Sequence, residues 1–127
     1  IIYMITAALG FVALENTLFI LGPLIGEDIV GGIVTGNLRF IGASLLHVVS
    51  SGFIGTALAF SFYKPRAKVP MVTLGVANAI AFHTVFNLFI LQLGNFGTLI
   101  SFLMVWIGTI LLLLMFEKAK RIAPSRG

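Results

Sequence analysis

The sequence predicts an all-α membrane protein, a bundle of about four transmembrane helices. Three observations carry that expectation. Hydrophobic residues make up 59% of the chain and charged residues only 9%, where a soluble domain has roughly 25% charged. The mean hydropathy is +1.13. The 127 residues divide into apolar stretches of about 20 residues, the length needed to cross about 30 Å of hydrocarbon. Such a chain cannot cover a water-facing surface, which excludes a soluble enzyme and makes the lipid bilayer its first partner. The formal charge of +4 does not indicate nucleic-acid binding, because the basic residues cluster at span ends as topology signals. No cysteine is present, so disulfides are excluded.

The chain reads as a single transmembrane domain over 1–127. The first span covers about 1–21 and stops at Gly22-Pro23. A connector over 22–37 contains five glycines and the acids Glu27 and Asp28, which read as a solvated loop. Gly32 and Gly36 fit a GxxxG spacing, a weak match outside a span. The second span covers about 38–63. A basic turn follows at 64–68, with the helix-breaking Pro65 between Lys64 and Arg66. The third span is about 69–93 and the polar turn Gly94-Asn95-Phe96-Gly97 ends it. The fourth, about 98–116, has no ionisable residue and reads as scaffold, before a basic tail over 117–127 in which Glu117 is a surface charge.

Seven of the eight basic residues lie in the 64–68 turn and the tail. An excess of Lys and Arg marks cytoplasmic segments, so both are expected inside the cell and the 22–37 connector outside. The two basic segments are separated by two spans, which makes the assignment self-consistent.

Three ionisable residues lie inside the apolar stretches: Glu15, His47 and His83, one on each of the first three spans. Each is costly in hydrocarbon, by roughly 2.5–3.5 kcal/mol for a charged side chain on the insertion scale. At 1.5 Å per residue they lie about 10, 14 and 15 Å below the outer end of their spans. One layer therefore holds all three. Asn16 and Asn87 lie at or above it, and Arg39 caps it near the outer interface. Arg39, Ala43, His47, Ser51, Gly55 and Ala59 recur every four residues, as do Gly75, Ala79, His83 and Asn87. Residues four apart share a helix face, and small residues let helices approach closely in a membrane. Packing of Ser51, Gly55 and Ala59 against Gly75 and Ala79 would bring the two histidines together.

A lone intramembrane histidine is as often a structural hydrogen-bonding group as a functional one, and Glu15 alone would suit a pairing with Arg39. Three at one depth favour a site. Two histidines and a carboxylate can bind Zn²⁺ and leave a position open for water, whose pKa then falls to about 7. Asn16 and Asn87 could donate to an oxyanion. Ser50, Ser51, Asn78 and Thr84 read as helix-to-helix hydrogen bonds, with Ser51 close to His47.

Phe11-x-x-x-Glu15-Asn16, then Arg39 with His47 eight residues on, then His83-x-x-x-Asn87, resembles the PrsW family of intramembrane proteases, relatives of the CAAX prenyl endopeptidase and bacteriocin-processing membrane proteases. The likeness covers residues 11–87. No motif is specific by itself; the three in order on consecutive spans are. The resemblance implies part of a larger helical membrane-protease core, with a membrane-protein substrate cut near the extracytoplasmic face, as in site-1 cleavage of an anti-sigma factor. It implies Glu15, His47, His83 and Asn87 as the catalytic set, with Asn16 and Arg39 supporting. Glu15, His47 and His83 would be the metal ligands and zinc the metal. It also implies a bacterial or archaeal plasma membrane. One departure stands out: the family's earlier Glu-Glu helix has no counterpart here. That leaves a fragment of a longer protease or a degenerate relative without activity, and the sequence favours the fragment.

Two other classes fit parts of the pattern. Two histidines at one depth could ligate a haem in an electron-transfer protein, which leaves Glu15 unexplained. The same ionisable residues could form a proton or ion relay in a transporter, although the chain shows no repeated half.

Overall fold

Backbone N–H and C=O groups have no water to bond in hydrocarbon, so an apolar chain that crosses it stays helical. The computed structural model, which describes residues 1–26, 29–92 and 94–122, follows that rule; the side chains at 32, 35, 36, 38, 39, 94 and 95 lie outside the description. Four helices run α1 Ile2–Ile25, α2 Ile29–Phe60, α3 Pro65–Gln92 and α4 Gly94–Ala119. Each is long and apolar enough to cross a membrane, and no strand occurs among the described residues.

The helices run further than the expected spans. Most of the 22–37 connector is helical: α1 continues through Pro23 to Ile25, and α2 begins at Ile29. Glycine costs a helix about 1 kcal/mol per residue but does not forbid it. Helix also satisfies the backbone where a loop would not. With 32 residues, α2 is about 48 Å long, well beyond a hydrocarbon core of about 30 Å. The basic segment is not a free turn either. The chain turns at residues 61–64, with Phe62 N–H donating to Ala59 O and Lys64 N–H to Ser61 O. Pro65 then starts α3, where its missing N–H costs nothing. Glu27, Asp28 and residues 123–127 lie outside the described residues. Near the chain's end Glu117 is an exposed surface charge paired with Lys120 at 2.6 Å.

Helix α2 is the centre of the bundle. It packs against α1, α3 and α4, and α3 packs against α4, whereas α1 touches neither α3 nor α4 among the described residues. The core of Leu46, Phe86 and Val105, joined by Leu45, Phe82 and Met104, sits between α2, α3 and α4. Most large apolar side chains outside it point outward, as lipid-facing residues do.

The close approaches differ from the expected ridge against ridge. Gly75 of α3 does not face Ser51, Gly55 and Ala59. It sits on the neighbouring stripe of α2, where an added Cβ would lie 2.7 Å from Ala57 Cβ and 3.2 Å from Phe53 O. Gly55 instead lets α1 approach: a Cβ there would lie 2.8 Å from Ile1 Cα. The reason is that α2 packs against three helices, so one i+4 ridge cannot serve them all.

Candidate active site

The site is built one side chain per helix. Leu46 and Phe86, 1% and 3% exposed, anchor α2 and α3 in the core beside His47 and His83. Glu15 reaches α2 from the first helix, and its Oε2 lies 2.8 Å from His47 Nε2. Both side chains are largely withdrawn from the surface. The His83 ring meets the His47 ring edge-on, with centroids 4.9 Å apart and planes at 69°. Contact on both sides of His47 places the three residues at one level of the bundle.

The pairing has a physical cause. An ionisable group in a low-dielectric interior is costly unless it is paired. When Nε2–H of His47 donates to Glu15, a neutral imidazole carries its lone pair on Nδ1. The carboxylate thus fixes both the ring's orientation and its tautomer, as an acidic partner does for a catalytic histidine.

Phe11 stands one helical turn before Glu15, and its ring lies 5.3 Å from that of His47. Hydrophobic spacing alone gave Phe11 no role beyond its motif, yet its i, i+4 relation to Glu15 was the available signal. Asn16 is half-buried, and its Nδ2 donates to Ser44 Oγ at 3.4 Å, tying α1 to α2 next to the Glu15–His47 pair. No pattern in the sequence singled out Ser44. Asn87 is exposed one turn beyond His83, and no hydrogen bond joins it to Glu15, His47 or His83 among the described residues. Arg39 belongs to α2, but its side chain lies outside the description.

Below the histidines, towards the 61–64 turn, a cleft of about 340 Å³ opens between α2 and α3. His47, Ser50, Ser51 and Ile54 line it from α2, and Ala79, Ile80, His83 and Thr84 from α3. A larger apolar cavity of about 770 Å³ lies on the other flank of α3 among α2, α3 and α4, with Asn78 and Thr56 as polar lining and neither histidine in it. Two expected helix-to-helix hydrogen bonds are not formed. Asn78 Nδ2 donates to Leu74 O within its own helix at 3.0 Å, and Ser50 Oγ has no hydrogen-bond partner among the described residues.

Among the described residues no three His, Cys, Asp or Glu side chains are disposed to hold a metal ion. Glu15 Oε2 is paired with His47 Nε2 at 2.8 Å, as a carboxylate that orients a histidine is. The arrangement does not fit a closed Glu15–His47–His83 metal site.

Four membrane-length helices thus carry a carboxylate–histidine pair and a second, half-buried histidine at one cleft. A family model described as PrsW family intramembrane metalloprotease matches residues 1–115, and the chain belongs to that family. No curated protein and no solved structure matches the chain. Membership makes it a membrane-embedded protein of a protease family whose description implies a metal, and a family that acts on membrane-protein substrates in a lipid environment.

Proposed function

We propose that the chain forms the catalytic core of a protease that cuts a membrane-anchored protein near the extracytoplasmic face, in the manner of site-1 cleavage of an anti-sigma factor. The observation that carries this reading is the Glu15–His47 pair at 2.8 Å with the His83 ring packed against it. The Lys and Arg distribution supports the sidedness, with the 64–68 segment and the C-terminal tail cytoplasmic. The setting is a bacterial or archaeal plasma membrane.

In this reading His47, held by Glu15, takes a proton from water as the water oxygen attacks the peptide carbonyl carbon. Glu15 stabilises the imidazolium that forms. His83 donates to the developing oxyanion, with Asn87, Asn16 and Arg39 supporting the polar end of the site. The C–N bond then breaks, and the proton on His47 passes to the leaving amine. General acid–base transfer of this kind contributes about 10²–10⁴-fold. Zinc is the ion that two imidazoles and a carboxylate would recruit, but with Glu15 turned to His47 no step here runs through it.

Substrate enters laterally, as an unwound or extracytoplasmic juxtamembrane segment, and the cleft between α2 and α3 beside the histidines supports this reading. The haem alternative loses its geometric basis, because rings in edge contact leave no room for a macrocycle between them.

The test is a cleavage assay in cells, with the native protein and a co-expressed single-span reporter carrying an extracytoplasmic tag. Alanine at Glu15, His47 or His83 is expected to abolish cutting while expression is kept. Normal cleavage by any two of these variants would sink the assignment.

A further inference from the structure

Among the described residues, the buried hydroxyls have backbone acceptors, with one exception. Thr56 Oγ1 donates to Phe53 O at 2.9 Å, Ser61 Oγ to Ala57 O at 2.8 Å, and Ser101 Oγ to Phe86 O at 3.4 Å. Ser50 is 8% exposed, and its Oγ has no partner among the described residues. It does not adopt the bond to the preceding turn that helical serines commonly make. An unsatisfied buried hydroxyl destabilises a protein, and sites that break such a rule are where function is expected.

Ser50 is not isolated in the packing. It lines the cleft that both histidines line, one turn along α2 from His47, with Thr84 on the facing helix. The volume of about 340 Å³ is some ten times the roughly 30 Å³ that one water occupies in the liquid. The cleft is therefore large enough for a stretch of chain.

A peptide bond within a transmembrane helix must be unwound before water can reach its carbonyl carbon. Unwinding frees backbone N–H and C=O groups that cost several kcal/mol each in hydrocarbon unless something bonds them. The enzyme must supply those partners.

We infer that Ser50 is a substrate-binding residue, its hydroxyl hydrogen-bonding the unwound backbone of the substrate beside the cleaved bond. The inference rests on the protease reading above and extends it. Because the cleft runs from the histidines towards the 61–64 turn, the bound residues lie on the membrane-interior side of that bond. The enzyme's substrates are thus single-span proteins that unwind inward from the cut, not only in the extracytoplasmic segment.

The test uses the native protein in proteoliposomes with the tagged single-span reporter, measuring kcat/KM and thermal stability together. S50A is expected to lower kcat/KM about tenfold, one hydrogen bond's effect, while Tm stays level or rises. S50T and S50V share a shape and differ by the hydroxyl, and S50T should exceed S50V by about tenfold. The contact is overturned if S50A cuts at the wild-type rate, if S50T and S50V are equal, or if Tm falls in step with activity. E15A in the same assay separates the two readings. Normal cleavage by S50A with none by E15A overturns the Ser50 contact alone, and normal cleavage by both overturns the site and the contact together.

Discussion

Glu15 and His47, on different helices, meet at 2.8 Å between Oε2 and Nε2, with the Phe11 ring tilted against the same imidazole. One turn of α1 thus supplies both the charge that orients His47 and the apolar wall that shields it. The arrangement makes the Phe-x-x-x-Glu spacing a device for gripping a histidine on the next helix.

Glu15 and His47 should therefore behave as one unit. Each alanine variant is expected to lose about 10²–10⁴-fold in kcat/KM, and the double variant little more than either alone. A double-mutant cycle on the reporter assay measures this. Additive losses would show that the two residues act separately.

The packing of the histidine rings at 4.9 Å predicts a chemical crosslink. Cysteines at 47 and 83, oxidised in native membranes, are expected to join α2 to α3. A control pair at 18 and 83, with Leu18 exposed on α1, should not join. After a proteolytic nick in the 61–64 turn, the first pair runs as one band without reductant and the control as two.

Close helix approach depends on Gly75. Its added Cβ would meet Ala57 Cβ at 2.7 Å, so G75A is expected to destabilise the bundle by about 1–3 kcal/mol through overpacking. A57G removes the nearer of the clashing atoms and should recover part of the loss. Thermal unfolding in detergent reads both effects, and a G75A variant as stable as wild type would refute the packing.

Asn16 should matter less than its place in the motif suggests. Its bond to Ser44 is long at 3.4 Å, and a typical hydrogen bond contributes about 0.5–1.5 kcal/mol net. N16A and S44A are each expected to reduce cleavage by about tenfold or less, and together by no more than either one. A loss from N16A as deep as that from E15A would give Asn16 a direct part in the chemistry.

Much of this protein is legible in one dimension. Hydrocarbon permits a lone chain little besides helix, so composition and length determined the class and the four helices long enough to cross. Ionisable residues stand out in a sequence with 9% charge, so Glu15, His47 and His83 were visible as a set, and the structure brings them into contact. The boundaries were not legible at 22–37, where glycine and proline signal a break that backbone satisfaction overrides.

Tertiary structure decided the rest. Periodicity places a residue on a face but does not say which neighbour that face meets, and α2 has three helical neighbours. Only packing showed that Gly75 sits against Ala57 and Gly55 against Ile1. Only packing brought Glu15 Oε2 to His47 Nε2. The unpartnered hydroxyl of Ser50 was equally out of reach of the sequence, because a serine's hydrogen bonds depend on which backbone groups surround it, and that is a property of the assembled bundle.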